Sequence, residues 1–326
     1  MKILLTGGAG YIGSHVLLSI LEENHEVFII DDLSTGNKTL IPKNINHLNC
    51  NINDYQEINN LLQKKSFDIL LHFAGYIKVE ESVQNPEKYF TNNTDNAIKL
   101  FETCYKNGLK NIIFSSTAAA YGNPLNNKSI KENEHLRPLN PYGKSKVNTE
   151  NYLIENKNRF NSIILRYFNV AGADPSLRSG LISDEPSHLI KILSEVAVGK
   201  REKIFIYGND YKTNDGTAIR DYIHVSDLAN IHLEMSKYLL DKKVSNIFNC
   251  GYGKGYSVLE VINAANKITG NIIKFEYGKR RQGDAEKLVS NVEKLHKHIN
   301  WKPKFDDLSY IIQTAINWEK KIYEKN

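Results

Sequence analysis

Between residues 2 and 168 the chain repeats one pattern. Short apolar runs end in small or polar residues and hand over to helix-length amphipathic segments. The runs are "KILLT" (2–6), "EVFII" (26–30), "FDILLHFA" (67–74), "NIIFSS" (111–116) and "NSIILRYF" (161–168). The segments between them begin near Ile12 and span 54–64, 86–107 and 142–157. A strand that is apolar along its whole length suits a parallel sheet covered by helices on both faces. Right-handed crossovers then wind such a chain into a doubly wound parallel sheet, a Rossmann-type α/β fold. From about 170 the pattern loosens. "AGADPSLRSG" is rich in turn residues, and helices near 186–198, 226–240 and 257–268 alternate with strands at 203–208 and 246–251. The expected organisation is a first domain over 1–170 and a smaller mixed α/β lobe over 171–326, with some segments returning to the first domain.

Composition excludes several classes. With 326 residues, 41% of them hydrophobic, the core needs no disulfide staples. Cys50, Cys104 and Cys250 stand far apart and form no CxxC pair, so neither a metal site nor a disulfide framework is indicated. The expectation is inert thiols in a reducing cytoplasm. The N-terminal apolar run breaks at Gly7, too short for a signal peptide, and no run of about 18 apolar residues suggests a membrane span. The net charge of +5 comes from 42 basic and 37 acidic residues scattered together, unlike the concentrated stripe that binds nucleic acid.

"TGGAGYIGSH" follows the first strand directly and opens a helix, with Gly7, Gly10 and Gly13 at GxxGxxG spacing. Glycines let the backbone turn tightly and approach a pyrophosphate, and the helix N-terminus offers free N–H groups at the positive end of its dipole. The second strand ends in Asp31-Asp32, 18 residues after Gly13. A carboxylate there accepts from ribose hydroxyls and repels a 2′-phosphate, which favours NAD over NADP. Lys38 is the nearest base after the pair.

"NPYGKSK" places Tyr142 and Lys146 one turn apart on a helix that Asn140 and Pro141 are suited to start. An ammonium near a phenol stabilises phenolate, which makes a tyrosine usable as a base near neutral pH. A second YxxxK, Tyr238 to Lys242, lacks strand-end partners and reads as surface. Tyr142 instead follows a strand ending in Ser115, Ser116 and Thr117, where hydroxyls point into the crevice of a doubly wound sheet.

Taken together these motifs resemble the extended short-chain dehydrogenase/reductase superfamily and, within it, the UDP-glucose 4-epimerase (UDP-galactose 4-epimerase) family. "TGGAGYIGSH", "HFAG", "ESV", "YGKSK", "LRYFNVAGA", "VAVGKRE", "DGTAIRDYIHVSDLA" and "NWKP" stand in that family's order from residue 2 to about 320. The resemblance implies an isomerase that inverts C4 of UDP-glucose and UDP-galactose through a transient 4-keto sugar, with tightly held NAD. It implies Thr117, Tyr142 and Lys146 as the catalytic set. NAD would meet Gly7, Gly10, Tyr11, Ile12 and Gly13 in the first loop, Asp31 and Asp32 after the second strand, and Asn51 and Ile52 beyond it. Further contacts would come from Phe73, Ala74, Gly75, Asn93, Ser115, Tyr142, Lys146 and Tyr167. The UDP-sugar would meet Thr117, Tyr142, Phe168, Asn169, His188, Leu189, Tyr207, Arg220, Arg281, Asp284 and Leu288. Paired arginines suit a diphosphate, whose oxygens a guanidinium binds in a fork. In Arg220 the competing role is an ordinary salt bridge to Asp221 or Asp227. The resemblance further implies a homodimer joined through the helices at about 86–107 and 142–157, a cytoplasmic enzyme, and no metal.

Four positions depart from the family pattern. Ile77 stands where many relatives carry lysine, with Lys78 displaced by one. Asn51 replaces an aspartate near the adenine, its side-chain oxygen still able to accept from the amino group. "EPSHL" (185–189) stands for "PNNL", and Leu288 for a tyrosine that limits the sugar pocket. A smaller residue at 288 extends the expected substrates to UDP-GlcNAc and UDP-GalNAc. Two other readings remain. A nucleotide-sugar 4,6-dehydratase or decarboxylating relative shares the oxidation step, but dehydratases carry acids after the Ser/Thr where this chain has Ala118 and Ala119. A non-catalytic dinucleotide-binding module is the alternative of another class, against which the retained Thr117, Tyr142 and Lys146 weigh.

Overall fold

The structure is a computed structural model of the chain and describes residues 1–124, 129–281 and 284–324. Its elements, in chain order, are β1 (Lys2–Thr6), α1 (Tyr11–Glu22), β2 (Glu26–Ile30), β3 (His47–Leu48), α2 (Tyr55–Lys64), β4 (Ile69–His72), α3 (Val79–Gln84), α4 (Pro86–Tyr89), α5 (Ala97–Lys106), β5 (Asn111–Thr117), α6 (Pro141–Glu155), β6 (Asn161–Tyr167) and β7 (Asn169–Ala171). They continue as α7 (Leu189–Ala197), β8 (Ile204–Tyr207), β9 (Ile219–His224), α8 (Val225–Lys242), β10 (Asn246–Cys250), β11 (Gly255–Ser257), α9 (Val258–Thr269), β12 (Phe275–Gly278), β13 (Lys287–Leu288), α10 (Glu293–His298) and α11 (Leu308–Tyr323).

Seven parallel strands form the central sheet in the order β10-β6-β5-β4-β1-β2-β3. Alternate residues of the apolar strands serve opposite faces. Ile3, Leu5, Leu71, Ile113 and Leu165 pack under α1 and α8, where Leu17, Ile20, Leu228 and Ile231 meet them. Leu4, Leu70, Ile112, Phe114 and Ile164 pack under α2, α5 and α6 with Leu62, Phe101 and Leu153. Each such buried side chain contributes about 1.5–3 kcal/mol, and both faces need it, which is why these strands lack polar alternation. The strand order reverses between β1 and β4, so the loops after β1, β4 and β5 open a crevice at the carboxyl edge.

The later part of the chain splits its loyalties. The α8 helix covers the first sheet and β10 joins it beside β6 in parallel register. The remainder builds a second core around α7, α9 and α11, where Leu193, Ile262 and Ile312 are buried. There β9 pairs with β7, β11 and β13, and β8 pairs with β12.

Several expected boundaries shift. The run 67–74 is strand only over Ile69–His72, because Phe73 and Ala74 leave the sheet to close over Gly7. The helix expected over 86–107 is α4 and α5 joined by a π-helical stretch, Phe90–Asn96. Widening the turn frees carbonyls, and α6 satisfies one of them: Thr149 donates to the Asn93 carbonyl at 2.7 Å. Strand β9 lies in the motif "RDYIH", where periodicity does not reveal a strand. It is buried on both sides despite holding Arg220, Asp221 and His224.

Candidate active site

The glycine loop is built by close approach. Gly7 has φ +73°, and a Cβ on it would lie 2.6 Å from the Ala74 nitrogen. A Cβ on Gly13 would lie 2.1 Å from the Gly7 carbonyl oxygen, so α1 sits against the loop as only glycine allows. Gly10 is the N-cap of α1 and supplies no side-chain cap, which leaves first-turn N–H groups directed at the crevice. Asp31 braces the loop from β2, accepting from the Ala9 N–H at 2.8 Å and the Leu33 N–H at 2.9 Å. A glycine cradle, an uncapped helix N-terminus and a carboxylate at the end of β2 together fit a dinucleotide such as NAD. Asn51 is spent locally. Its amide donates to Asp32 at 2.6 Å, and its oxygen, expected to be free for an adenine, accepts from the Asn53 N–H at 3.1 Å. Ile52 is buried beside it.

Across the crevice, Asn93 in the π-helical stretch ties down the loop after β4. Its oxygen accepts from the Tyr76 N–H and its amide donates to the Tyr76 carbonyl, both at 2.9 Å. Gly75 lies against it: a Cβ there would be 3.0 Å from the Asn93 oxygen and 3.4 Å from the Lys146 amine. Phe73 packs on His232 (4.8 Å between ring centroids), and His232 is hydrogen-bonded to the Tyr167 hydroxyl. Tyr11 reaches away and donates to the Gly172 carbonyl at 2.7 Å.

Helix α6 starts as its sequence suggests. Asn140 accepts from the Gly143 N–H at 2.9 Å and Pro141 occupies the first turn. That start delivers Tyr142 to the end of β5, where its hydroxyl faces the Thr117 side chain. Lys146, 3% exposed, donates to the Ser115 carbonyl at 3.0 Å and lies 4.9 Å over the Phe114 ring. Burial pushes the Lys146 amine down to about 8, with the charge of Glu150 opposing. Burial also raises the Tyr142 hydroxyl above its ordinary value, the Thr117 hydrogen bond opposing. The phenol lowering expected from the ammonium is not reached by these side chains; the cationic ring of a bound NAD would act in the needed direction. The second YxxxK stays out of the crevice: Lys242 is exposed and paired with Asp241, and Tyr238 packs on Phe248.

Opposite these residues, Arg220 on β9 forms an ion pair with Asp284 at 2.5 Å and donates to the Ile219 carbonyl at 2.9 Å. Its partner is Asp284, not Asp221 or Asp227, which bind Ser290 and Tyr252. Arg281 stacks 3.9 Å over the Tyr207 ring and lies 3.2 Å from Glu80. Phe168 and Leu288 share a small apolar cluster with Ala118 and Tyr121. Asn169, His188 and Leu189 line one cavity together with Tyr11. Ile77 is 54% exposed, and Lys78 pairs with Glu185 of "EPSHL" at 2.8 Å, so two of the departures meet each other.

Sequence reading passed over several residues at this site. Glu150, Ser116 and Arg166 form a buried cluster directly behind Lys146. Tyr89 packs edge-on to Tyr142 at 6.4 Å, and Arg280 stacks 3.7 Å over Tyr211. Only Glu150 carried a local signal, its place one turn beyond Lys146 on the same helix face.

The sequence model of the NAD dependent epimerase/dehydratase family matches residues 3–251. UDP-glucose 4-epimerase of Azospirillum brasilense is 41% identical, the match covering 98% of this chain and 92% of the relative. A crystal structure of UDP-glucose 4-epimerase from Stenotrophomonas maltophila with bound NAD and formylated UDP-arabinopyranose superposes with a TM-score of 0.96 at 31% identity, covering all of both chains. That of the UDP-Glc/GlcNAc 4-epimerase from Campylobacter jejuni reaches 0.85 at 45% identity, covering 98% of this chain and 99% of the other. With the glycine cradle, the strand-end threonine and the Tyr142–Lys146 pair in one crevice, the chain belongs to the NAD dependent epimerase/dehydratase family, among relatives that are UDP-glucose 4-epimerases.

Proposed function

We propose that this protein interconverts UDP-glucose and UDP-galactose by inverting C4 through a 4-keto sugar. The observation that carries this reading is the Thr117–Tyr142 hydroxyl pair at the end of β5, with Lys146 behind it and only alanines at 118 and 119. NAD, when bound, supplies a reversible hydride acceptor. Tyr142 takes the proton of the sugar 4-hydroxyl and returns it, while Thr117 holds the same oxygen by a hydrogen bond. Lys146, anchored on the Ser115 carbonyl, stabilises the phenolate. Elimination at C5–C6 needs an acid or base beside the threonine, and Ala118 and Ala119 supply none, which favours epimerisation over dehydration.

Binding divides between the two parts of the chain. Residues 1–170 hold NAD through the glycine loop, Asp31 and the Asn93 region, with Ser115 and Tyr167 lining its far end. Residues 171–326 hold the UDP-sugar, with Arg220 and Arg281 on the diphosphate, Tyr207 on the nucleotide, and His188 and Leu189 along its length, joined by Asn169 at the boundary between the two parts. Pairing of two copies through the helices at about 86–107 and 142–157 belongs to the same reading, and free cysteines fit a reducing cytoplasm. Acceptance of UDP-GlcNAc and UDP-GalNAc is supported by Leu288 beside Phe168 and by the relative named a UDP-Glc/GlcNAc epimerase.

The test is turnover of UDP-galactose followed by separation of the UDP-sugars. The parent protein should reach an equilibrium mixture, and Tyr142→Phe should lose most turnover while still binding UDP. A parent protein that releases a dehydrated or oxidised sugar, or a Tyr142→Phe variant with full turnover, would overturn the reading. Equal enzyme offered the N-acetyl pair settles the wider range: no turnover there restricts the enzyme to the simple hexoses.

A further inference from the structure

Tyr142, Lys146 and Glu150 recur every fourth residue on α6, so all three face the same way. The end of β5 meets them in turn. Thr117 faces Tyr142, the Ser115 carbonyl receives Lys146, and the Ser116 hydroxyl is hydrogen-bonded to Glu150. Glu150 and Ser116 are both buried. On β6, Arg166 is the register partner of Ser116 and grips the same carboxylate, Nε at 3.0 Å from one oxygen and Nη2 at 2.6 Å from the other. Arg166 also donates to the Tyr121 hydroxyl at 3.0 Å, and Tyr121 donates to Asn249 on β10 at 2.6 Å.

A fully buried ion pair is poor value as a stabiliser, since apolar residues of similar volume often do as well. Its retention one turn behind the lysine of the site asks for another reason. We infer that Glu150 is a positioning residue of the epimerase site: through Ser116 it holds the β5 end against α6, and its buried carboxylate is the counter-charge that keeps the Lys146 ammonium in place. The inference rests on the function proposed above. Glu150 touches neither sugar nor cofactor in this role; it acts through Lys146 and Thr117.

The charged and titratable groups around this pair are Tyr142 on α6, His72 on β4, Tyr89 on α4, Arg166 on β6, Tyr121 and Glu132 after β5, and Lys294 on α10. His72 is held neutral by burial, its pKa pushed down to about 3, so it adds no charge in the working range. Removing the Glu150 charge takes away the carboxylate that opposes burial at the Lys146 amine. The proton on Lys146 is then lost at lower pH, and the alkaline limb of the kcat profile moves down with it.

The experiment compares parent, Glu150→Gln and Ser116→Ala, all purified with NAD retained, in three readouts: turnover of UDP-galactose across pH, KM, and Kd for UDP by calorimetry. In Glu150→Gln we expect kcat to fall at least about tenfold, KM and UDP Kd to stay within about twofold, and the alkaline limb to shift down by about one pH unit. Ser116→Ala should lower kcat a few-fold with UDP binding kept. A folded Glu150→Gln with unchanged kcat, or with kcat reduced uniformly at every pH, overturns the inference. If Glu150→Gln does not fold, Ser116→Ala decides: lower kcat at unchanged UDP Kd supports it, and parental kcat overturns it. A parent that does not epimerise UDP-galactose refutes the proposed function itself, which the parent arm reads independently of the variants.

Discussion

Replacing Gly13 with alanine tests the cradle most directly. The new methyl carbon would stand 2.1 Å from the Gly7 carbonyl oxygen, 2.9 Å from the Gly7 carbonyl carbon and 3.0 Å from the Gly8 Cα. All three are backbone atoms, and Gly7 is itself pressed against Ala74, so no side chain can swing aside. Relief requires α1 to move off the loop by roughly 1 Å, at a cost of about 1–3 kcal/mol in stability for an overpacked site. The same movement withdraws the first-turn N–H groups from the pyrophosphate. Losing one hydrogen bond to a charged group costs about 1.5–3 kcal/mol, or roughly 10- to 150-fold in NAD affinity. Gly10 is the graded control, because a Cβ there meets the same oxygen at 3.2 Å, a contact that a few tenths of an ångström relieve. The assay denatures protein purified without added cofactor and quantifies the nucleotide released per chain, alongside thermal melting with and without NAD. The expected order of retained NAD is parent, then Gly10→Ala, then Gly13→Ala well below one per chain. Gly13→Ala protein with parental NAD content and melting temperature would refute the reasoning.

Three further outcomes follow from the geometry. Arg220→Met should weaken UDP binding by about tenfold or more, since it removes a guanidinium and leaves the Asp284 carboxylate facing the diphosphate; unchanged calorimetric affinity would count against a diphosphate role. Lys78→Ala should change unfolding free energy by no more than about 1 kcal/mol, because its pair with Glu185 is exposed at both ends; a larger loss in a urea titration would show the pair to be a structural clasp. For Lys146, burial lowers the folded-state pKa from the model-compound 10.5 to about 8. At pH below both values the folded chain bears the whole cost of the buried charge. Between them only the unfolded chain keeps the proton, so this group's contribution to stability rises with pH, by up to ~3 kcal/mol. In protein stripped of NAD, Lys146→Met should therefore lose stability relative to the parent as pH goes from about 7 to about 10, measured by urea unfolding; a pH-independent difference would contradict the depressed pKa.

Much of the candidate site's arrangement was legible because its signals are local. A glycine loop between strand and helix, a carboxylate at the next strand end and a tyrosine four residues before a lysine depend on spacing along one or two elements. The apolar runs were legible for the same reason: burial on both faces of a sheet leaves a continuous stretch no longer than a strand. Strand β9 was not, because its charged residues are buried through partners far along the chain, Arg220 with Asp284 and Asp221 with Ser290. The π-helical stretch was hidden because a widened turn changes hydrogen bonding without changing composition.

The sequence by itself determined the apolar strands of the sheet, the glycine loop and the identity of the hydroxyl, phenol and ammonium in the crevice, since local periodicity and backbone sterics decide those. Only the tertiary structure decided what stands behind them. That Glu150 is clamped by Arg166 and Ser116 depends on β5 and β6 lying side by side in one register under α6. Such a contact joins residues distant in the chain, and it exists only once the sheet has brought their ends together.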